Sequence, residues 1–162
     1  MAIEKERKFL ISENAFGFKS LPDNFVKEHC GGKSYHIKQA YVMITESKQL
    51  RVRITDDKAA SWAYKVDTNV LDERYEFEYP LPLEDAHTMM KTTNLKLEKI
   101  RIKTKHNGLD VDIDLYPNNL LIAEIEIPEG YVFTQADIPA YCGPEVTKDK
   151  KYSNIDIAIR NQ

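Results

Sequence analysis

Ile3-Glu4-Lys5-Glu6-Arg7-Lys8-Phe9-Leu10 decides how this chain is read. Glu4, Glu6 and Lys8 fall at every second position. A strand turns successive side chains to opposite faces, so these three point the same way. Two carboxylates and an ammonium on one face are poor core material. The same alternation recurs at Arg51 and Arg53, at Arg74, Glu76 and Glu78, at Lys99, Arg101 and Lys103, at Asp110, Asp112 and Asp114, and at Glu124 and Glu126. Val52, Tyr75, Phe77, Ile100, Ile102, Val111, Ile113 and Ile125 stand between the charges. The pattern describes a sheet with one apolar and one charged face, and the charged face carries the function.

Working outward, eight strands are expected: about Ile3 to Ile11, Tyr35 to Ile44, Gln49 to Thr55, Ala60 to Val66, Arg74 to Tyr79, Lys96 to Lys105, Leu109 to Tyr116 and Leu121 to Ile127. Pro80 should stop the fifth, because it cannot donate to a ladder. Asp56-Asp57-Lys58, Asn107-Gly108 and Pro117-Asn118-Asn119 read as turns, Asn-Gly being the strongest hairpin signal. Helices are expected near Asp23 to Cys30, with Asp23 as N-cap and Gly31 as stop. Another should run from Leu83 to Lys91 with Ala86, Met89 and Met90 on one face. A third should follow a Ser153 or Asn154 cap, with Ile155 and Ile159 on one face. The fold class is α+β, mainly β: an eight-stranded antiparallel β-barrel with a few flanking helices. Closure would remove exposed edges. Glu76, Arg101 and Glu124 would point inward, and Trp62, Tyr64, Tyr75, Phe77, Ile100 and Ile125 outward to the helices.

The 162 residues fit one domain spanning 1–162, long enough to bury a core of its own. Net charge is −3, from 26 acidic and 23 basic residues, and no Lys/Arg run forms a nucleic-acid tail. Cys30 and Cys142 lack metal-ligand spacing, and two cysteines suit a reducing compartment. Met1-Ala2-Ile3-Glu4 lacks a signal-peptide apolar region and no run reaches transmembrane length, so a soluble, cytoplasmic protein without membrane or nucleic-acid partners is expected. A homodimer is left open.

Any single charged pair could be a solvated antiparallel strand. The whole set is harder to read that way. Glu124-Ile125-Glu126 follows the apolar Leu120-Leu121-Ile122-Ala123, where like carboxylates repel and a divalent cation would relieve them. Oxygen-only ligands suit Mg²⁺ or Mn²⁺. Arg51, Arg53, Lys65 and Arg101 offer the opposite sign for phosphate oxygens. His29, His36, His87 and His106 show no ligand spacing and read as surface or structural. Trp62 reads as packing. Gly-x-x-x-x-Gly-Lys is absent, and Gly31-Gly32-Lys33 reads as a helix stop.

With these residues in hand, the chain resembles the CYTH superfamily, the triphosphate tunnel metalloenzymes. The opening strand is similar to the family's Glu-x-Glu-x-Lys signature. Ile37-Lys38-Gln39-Ala40-Tyr41, Arg51-Val52-Arg53, Tyr64-Lys65, Arg74 to Tyr79, Lys99-Ile100-Arg101, Asp112-Ile113-Asp114, Ala123 to Glu126, Glu145-Val146-Thr147 and Lys151 to Asn154 follow in family order. The resemblance implies that Lys8, Lys38, Arg51, Arg53, Lys65, Arg74, Lys99, Arg101 and Lys151 hold a triphosphate. It implies that Glu4, Glu6, Glu78, Asp114, Glu124 and Glu126 hold one or two Mg²⁺ or Mn²⁺ ions. The resemblance makes Glu4, Glu6, Lys8, Glu124 and Glu126 the expected catalytic set. Ala40 stands where many members have Gly, and the turn at 117–119 is shorter than usual. Asp114 is preferred over Asp112 because Asp114-Leu115-Tyr116 resembles the family's Asp-Val-Phe. The implied activity is hydrolysis of a triphosphate, inorganic triphosphate first, as in the small bacterial triphosphatases. The alternatives are a class IV adenylate cyclase, a thiamine triphosphatase or other organic triphosphatase, and a non-catalytic nucleotide or polyphosphate binder.

Overall fold

The computed structural model describes residues 2–11, 27–28, 32–70 and 72–162. The strands are β1 (Ala2–Ile11), β2 (Tyr35–Ile44), β3 (Lys48–Thr55), β4 (Ala59–Asp67), β5 (Glu73–Leu81), β6 (Lys96–His106), β7 (Leu109–Leu115), β8 (Leu121–Glu126) and β9 (Cys142–Glu145). The helices are α1 (Leu83–Met90) and α2 (Asn154–Arg160). Of the expected helix from Asp23 to Cys30, only Lys27 and Glu28 are described and both are helical; its remainder, with His29, Cys30 and the Gly31 stop, lies outside the described residues. The hydrogen-bonded order is β5-β4-β3-β2-β6-β7-β8-β1-β9, and β5 also pairs with β1. Strands β1 to β8 therefore form a ladder that closes on itself, and the fold is mainly β, as the alternation requires.

Two readings at strand level change. β5 runs on through Pro80 to Leu81, with Pro80 opposite Ser61. Proline removes a donor, but its fixed φ suits an extended chain. β9 was not expected, because Gly143 and Pro144 are poor strand residues. It pairs with β1 at Phe9 and Ile11, with a register shift between them.

The described chain falls into two compact units interleaved in sequence. The first comprises Met1–Glu4, His36–Glu98 and Lys148–Gln162. It contains the β2–β3–β4–β5 meander. Asp56 and Asp57 both take φ 54° in the β3–β4 turn, the left-handed conformation that a tight hairpin needs. Alternation in β3 and β4 puts Val52, Ile54, Ala60 and Trp62 on one face, and α1 covers it with Ala86, Met89 and Met90. Trp62 also meets the Tyr79 ring at 5.3 Å, so it is a packing residue, as read. Tyr64 and Phe77 stack on the same face at 6.3 Å. In α2 the cap is Ser153, whose Oγ accepts from the Asp156 N–H at 3.1 Å. Its buried residues are Ile157 and Ala158, while Ile159 is 48% exposed, so the Ile155/Ile159 face is not the packed one.

The second unit comprises Lys5–Tyr35 and Lys99–Thr147. Asn107 (φ 49°) and Gly108 (φ 79°) make the β6–β7 hairpin the sequence announces. Phe9, Ile11, Ile102, Val111, Ile113, Ala123 and Ile125 form its core on the face opposite the charges. Among the described residues, Phe133, Ile138 and Tyr141 of the irregular chain and Cys142 of β9 pack on this face. Asp137 ties that segment down. It accepts from Tyr131 Oη and Asn107 Nδ2 at 2.7 Å each and from the Thr134 N–H at 2.8 Å. Ile100 points away from the charges but is 40% exposed among the described residues.

Candidate active site

Cross-strand register puts the charges of each unit on one face. In the first unit, Arg51 stands opposite Ala63, Lys65 opposite Glu76 and Ala63 opposite Glu78. Lys65 Nζ donates to both Glu4 oxygens, at 2.8 and 2.9 Å, and Arg74 Nη2 reaches Glu4 at 3.3 Å. Arg51 Nη2 donates to Glu78 at 2.8 Å and lies 3.9 Å from Glu76. The Arg51 Nε is buried and has no hydrogen-bond partner among the described residues. A buried guanidinium donor without an acceptor is costly, and an anionic ligand would satisfy it.

The carboxyl groups of this cluster are driven apart. Burial alone would raise Glu4, but Lys65 and then Arg74 override it and hold its pKa at about 2. Burial raises Glu76, and the adjacent Glu4 carboxylate, with which it shares a hydrogen bond, raises it further. Burial opposes ionisation of Glu78, yet Arg51 and then Arg53 pull it below the usual range. Glu4 and Glu76 are thus pushed in opposite directions, with the Lys65 ammonium 2.8 Å from Glu4 and 3.7 Å from Glu76. Burial lowers the Lys65 pKa, with Glu4 opposing that shift.

In the second unit, β1 and β8 set Lys8 opposite Glu124 and Glu6 opposite Glu126, and β7 and β8 set Asp112 opposite Glu124. Lys8 Nζ is 3.7 Å from both Glu6 and Glu124. Arg101 is held on every side: Nε and Nη2 donate to Asp114 at 2.7 Å, Nη1 lies 2.9 Å from Asp112, and Nη2 reaches Glu124 at 3.2 Å. Burial works against its charge, but Asp114, then Glu124 and Asp112, raise its pKa well above the usual value. Asp112 goes up, first from burial and then from Glu124 and Asp114, with Arg101 opposing. Asp114 goes down because Arg101 and Lys99 outweigh its burial.

The structure sorts the expected residues. Glu4, Arg51, Lys65, Arg74 and Glu78 meet in the first unit, and Glu6, Lys8, Arg101 and Glu124 in the second. Lys99 has a side-chain exposure of 0% and donates to Asp114 at 2.7 Å, beside the Tyr116 ring, so it anchors where a phosphate ligand was expected. Asp114 is equally enclosed, and both its oxygens are engaged by Lys99 and Arg101. Asp112, the other candidate, sits directly opposite Glu124. Lys38 pairs in register with Ile54, on the face opposite Arg53, and its Nζ is 3.2 Å from Asp57. Lys151 has local contacts, 3.8 Å from Asp149 and over the Tyr152 ring. Glu126 is exposed at the end of β8. Two residues were missed. Glu76 was placed on the charged face without a role in the site. Gln39, 1% exposed, receives Arg53 Nε and Nη2 at 3.3 and 3.2 Å. Only the register Gln39–Arg53 reveals it. His36 pairs with Glu98 and His106 with the Ala136 carbonyl, consistent with surface and structural roles.

Among the described residues, no three His, Cys, Asp or Glu side chains converge as a metal cage. The acids are turned to Lys and Arg. Their chemistry nevertheless fits a hard divalent ion. The donors are carboxylates throughout, the hard oxygen ligands such an ion prefers.

A closed ladder with one apolar and one acid–base face matches a known class. The chain belongs to the CYTH domain family, whose model matches residues 2–130. It is 31% identical, over 97% of its own length and 94% of the relative's, to an inorganic triphosphatase of Acetivibrio thermocellus. Solved structures share the fold. An inorganic triphosphatase superposes with TM-score 0.58 at 24% identity, over 98% of this chain and 96% of that one. A proposed adenylate cyclase from Vibrio parahaemolyticus superposes with TM-score 0.56 at 16% identity, over 80% and 78%.

Proposed function

We propose that this protein is a divalent-metal-dependent triphosphatase, with inorganic triphosphate as its substrate. The observation that carries the reading is the acid–base face in each unit, with cations held by carboxylates that can change partners. The relationship to an inorganic triphosphatase supports the choice of substrate. In the first unit, Arg51, Arg53, Lys65 and Arg74 supply positive charge for phosphate oxygens; in the second, Lys8 and Arg101 do. In the first unit Glu4 and Glu76, and in the second Glu6, Glu124 and Glu126, would supply carboxylates for Mg²⁺ or Mn²⁺. The ion, when bound, neutralises phosphate charge and makes water a better nucleophile at neutral pH. Lys99 and Asp114 fix Arg101 against recoil as charge develops on the phosphoryl oxygens. Water attacks the terminal phosphorus, the anhydride P–O bond breaks, and orthophosphate and pyrophosphate leave. No side-chain nucleophile takes part.

Packing of Trp62 against α1 and Tyr79 argues against a thiamine-stacking role. A pure anion binder would gain nothing from so many carboxylates. The test is a panel of inorganic triphosphate, ATP and thiamine triphosphate with Mg²⁺ or Mn²⁺, scoring phosphate and cyclic AMP separately. Phosphate release fastest from inorganic triphosphate is expected. Cyclic AMP as the main product from ATP would replace this reading with the cyclase.

A further inference from the structure

Glu145-Val146-Thr147 ends β9 and runs past it along β1. Thr147 Oγ1 accepts from the Lys8 N–H at 3.0 Å, and the Val146 N–H donates to the Lys8 carbonyl at 2.8 Å. Both backbone polar groups of Lys8 are therefore held by this segment. Thr147 Oγ1 in turn donates to Glu145 Oε2 at 2.6 Å. The Arg7 guanidinium grips the same carboxylate with two donors, Nε to Oε2 at 2.7 Å and Nη2 to Oε1. Arg7 lies over the Phe133 ring, 4.3 Å from its centroid, and Phe133 packs on the apolar core. Gly143 allows the close approach: a Cβ there would stand 3.1 Å from the Leu10 carbonyl oxygen.

Chemistry fixes the direction of each bond. A carboxylate only accepts and an amide N–H only donates, so the single Thr147 hydroxyl proton goes to Glu145 and a lone pair to Lys8. Charge-assisted bonds of this kind are strong, and linked ones reinforce each other. A chain of contacts thus crosses the sheet: Arg7 on the apolar side holds Glu145, Glu145 holds Thr147, and Thr147 holds the Lys8 backbone. In an ordinary ladder the Lys8 N–H would meet a main-chain carbonyl. Here a side-chain hydroxyl tied to an ion pair takes that place. The Lys8 side chain leaves on the other face, with Nζ 3.7 Å from both Glu6 and Glu124.

We propose that Glu145 and Thr147, with Arg7, are positioning residues that fix the β1 backbone at Lys8 and so set its ammonium for the triphosphate. This rests on the reading of Lys8 as a phosphate ligand. The Lys8 side chain is 13% exposed, so its stem has little room to make up for a shifted backbone. A displacement of about 1 Å in such a group can cost on the order of a hundredfold in rate.

The experiment is a double-mutant cycle on inorganic triphosphate hydrolysis with Mg²⁺, using Thr147→Val, Lys8→Ala and both together. Thermal melts refer each kcat/KM to folded protein. Thr147→Val keeps the shape and loses the hydroxyl; it should lower kcat/KM on the order of tenfold and speed amide exchange at Lys8. Thr147→Ser, which returns the hydroxyl, should restore both. Lys8→Ala should lower kcat/KM roughly tenfold or more, the loss of a charge-assisted donor. The double variant should match Lys8→Ala alone, because Thr147 acts through Lys8. Glu145→Gln, which removes the charge holding Arg7 and Thr147, should lower kcat/KM in the same direction and serves where Thr147→Val does not fold. Independent, multiplicative effects of Thr147 and Lys8, or wild-type kcat/KM in folded Thr147→Val or Glu145→Gln, would overturn the proposal. Wild-type kcat/KM in Lys8→Ala would instead remove the assignment of Lys8 on which it rests.

Discussion

Two cationic residues separated by one position, Lys99 and Arg101, receive different work from the fold. Lys99 is sealed against Asp114, whereas Arg101 gathers Asp112, Asp114 and Glu124. Cutting one partner out of such a buried pair strands the other charge, at a cost of roughly 3–5 kcal/mol. Lys99→Met should therefore lower unfolding free energy in urea by about that amount. Lys103→Ala, at an exposed position of the same strand, should stay within about 0.5 kcal/mol. Equal stability of Lys99→Met and wild type would show that the network does not form. Asp137 gives a pH signature outside the acid–base faces. The Thr134 N–H, then Tyr131 and Asn107, hold it below its usual 3.8. A depressed acid favours the folded state above the unfolded pKa, and that contribution is lost as pH falls through the carboxylate range. Asp137→Asn should be less stable than wild type at pH 7, and the two should converge as pH falls below about 4. A constant gap between their melting temperatures from pH 7 to 3 would contradict this.

At the scale of elements, parity was legible and register was not. Alternation alone placed Val52, Phe77 and Ile125 on apolar faces, and Arg51, Glu76, Arg101 and Glu124 on charged ones. Asn107-Gly108 announced its hairpin because few residues accept positive φ. Lys38 entered through the family resemblance alone; pairing with β3 sets Gln39 opposite Arg53 and Lys38 opposite Ile54, which no motif announces. The depth of Lys99 was invisible, since Lys99, Arg101 and Lys103 are equivalent in a two-residue pattern and burial comes from neighbouring strands. The irregular cover over β7 and β8 has no period to read. A parity claim is testable. Ile125 is fully buried on the face away from Glu124, so Ile125→Ala should cost roughly 2–5 kcal/mol through the cavity it leaves. Turnover per folded molecule should stay near wild type. Unchanged stability, or turnover lost from well-folded protein, would place Ile125 on the wrong face.

For the whole molecule, the two units share a design: a strand ladder with apolar packing on one side and paired charges on the other. Buried charges of both signs destabilise unless they neutralise each other, and here Lys65 pairs with Glu4, Arg51 with Glu78, and Arg101 with Asp112, Asp114 and Glu124. Each acid released from a cation becomes available to a divalent ion, and each cation becomes available to a phosphate. Metal and triphosphate should therefore depend on one another. The most direct measurement is phosphate release from inorganic triphosphate, after EDTA treatment and again across a Mg²⁺ or Mn²⁺ titration, for wild type and Glu124→Ala. Wild type should be inactive after chelation and recover with metal, while folded Glu124→Ala should stay almost inactive at any metal concentration. Full turnover in metal-free wild type, or wild-type turnover in Glu124→Ala, would contradict the account.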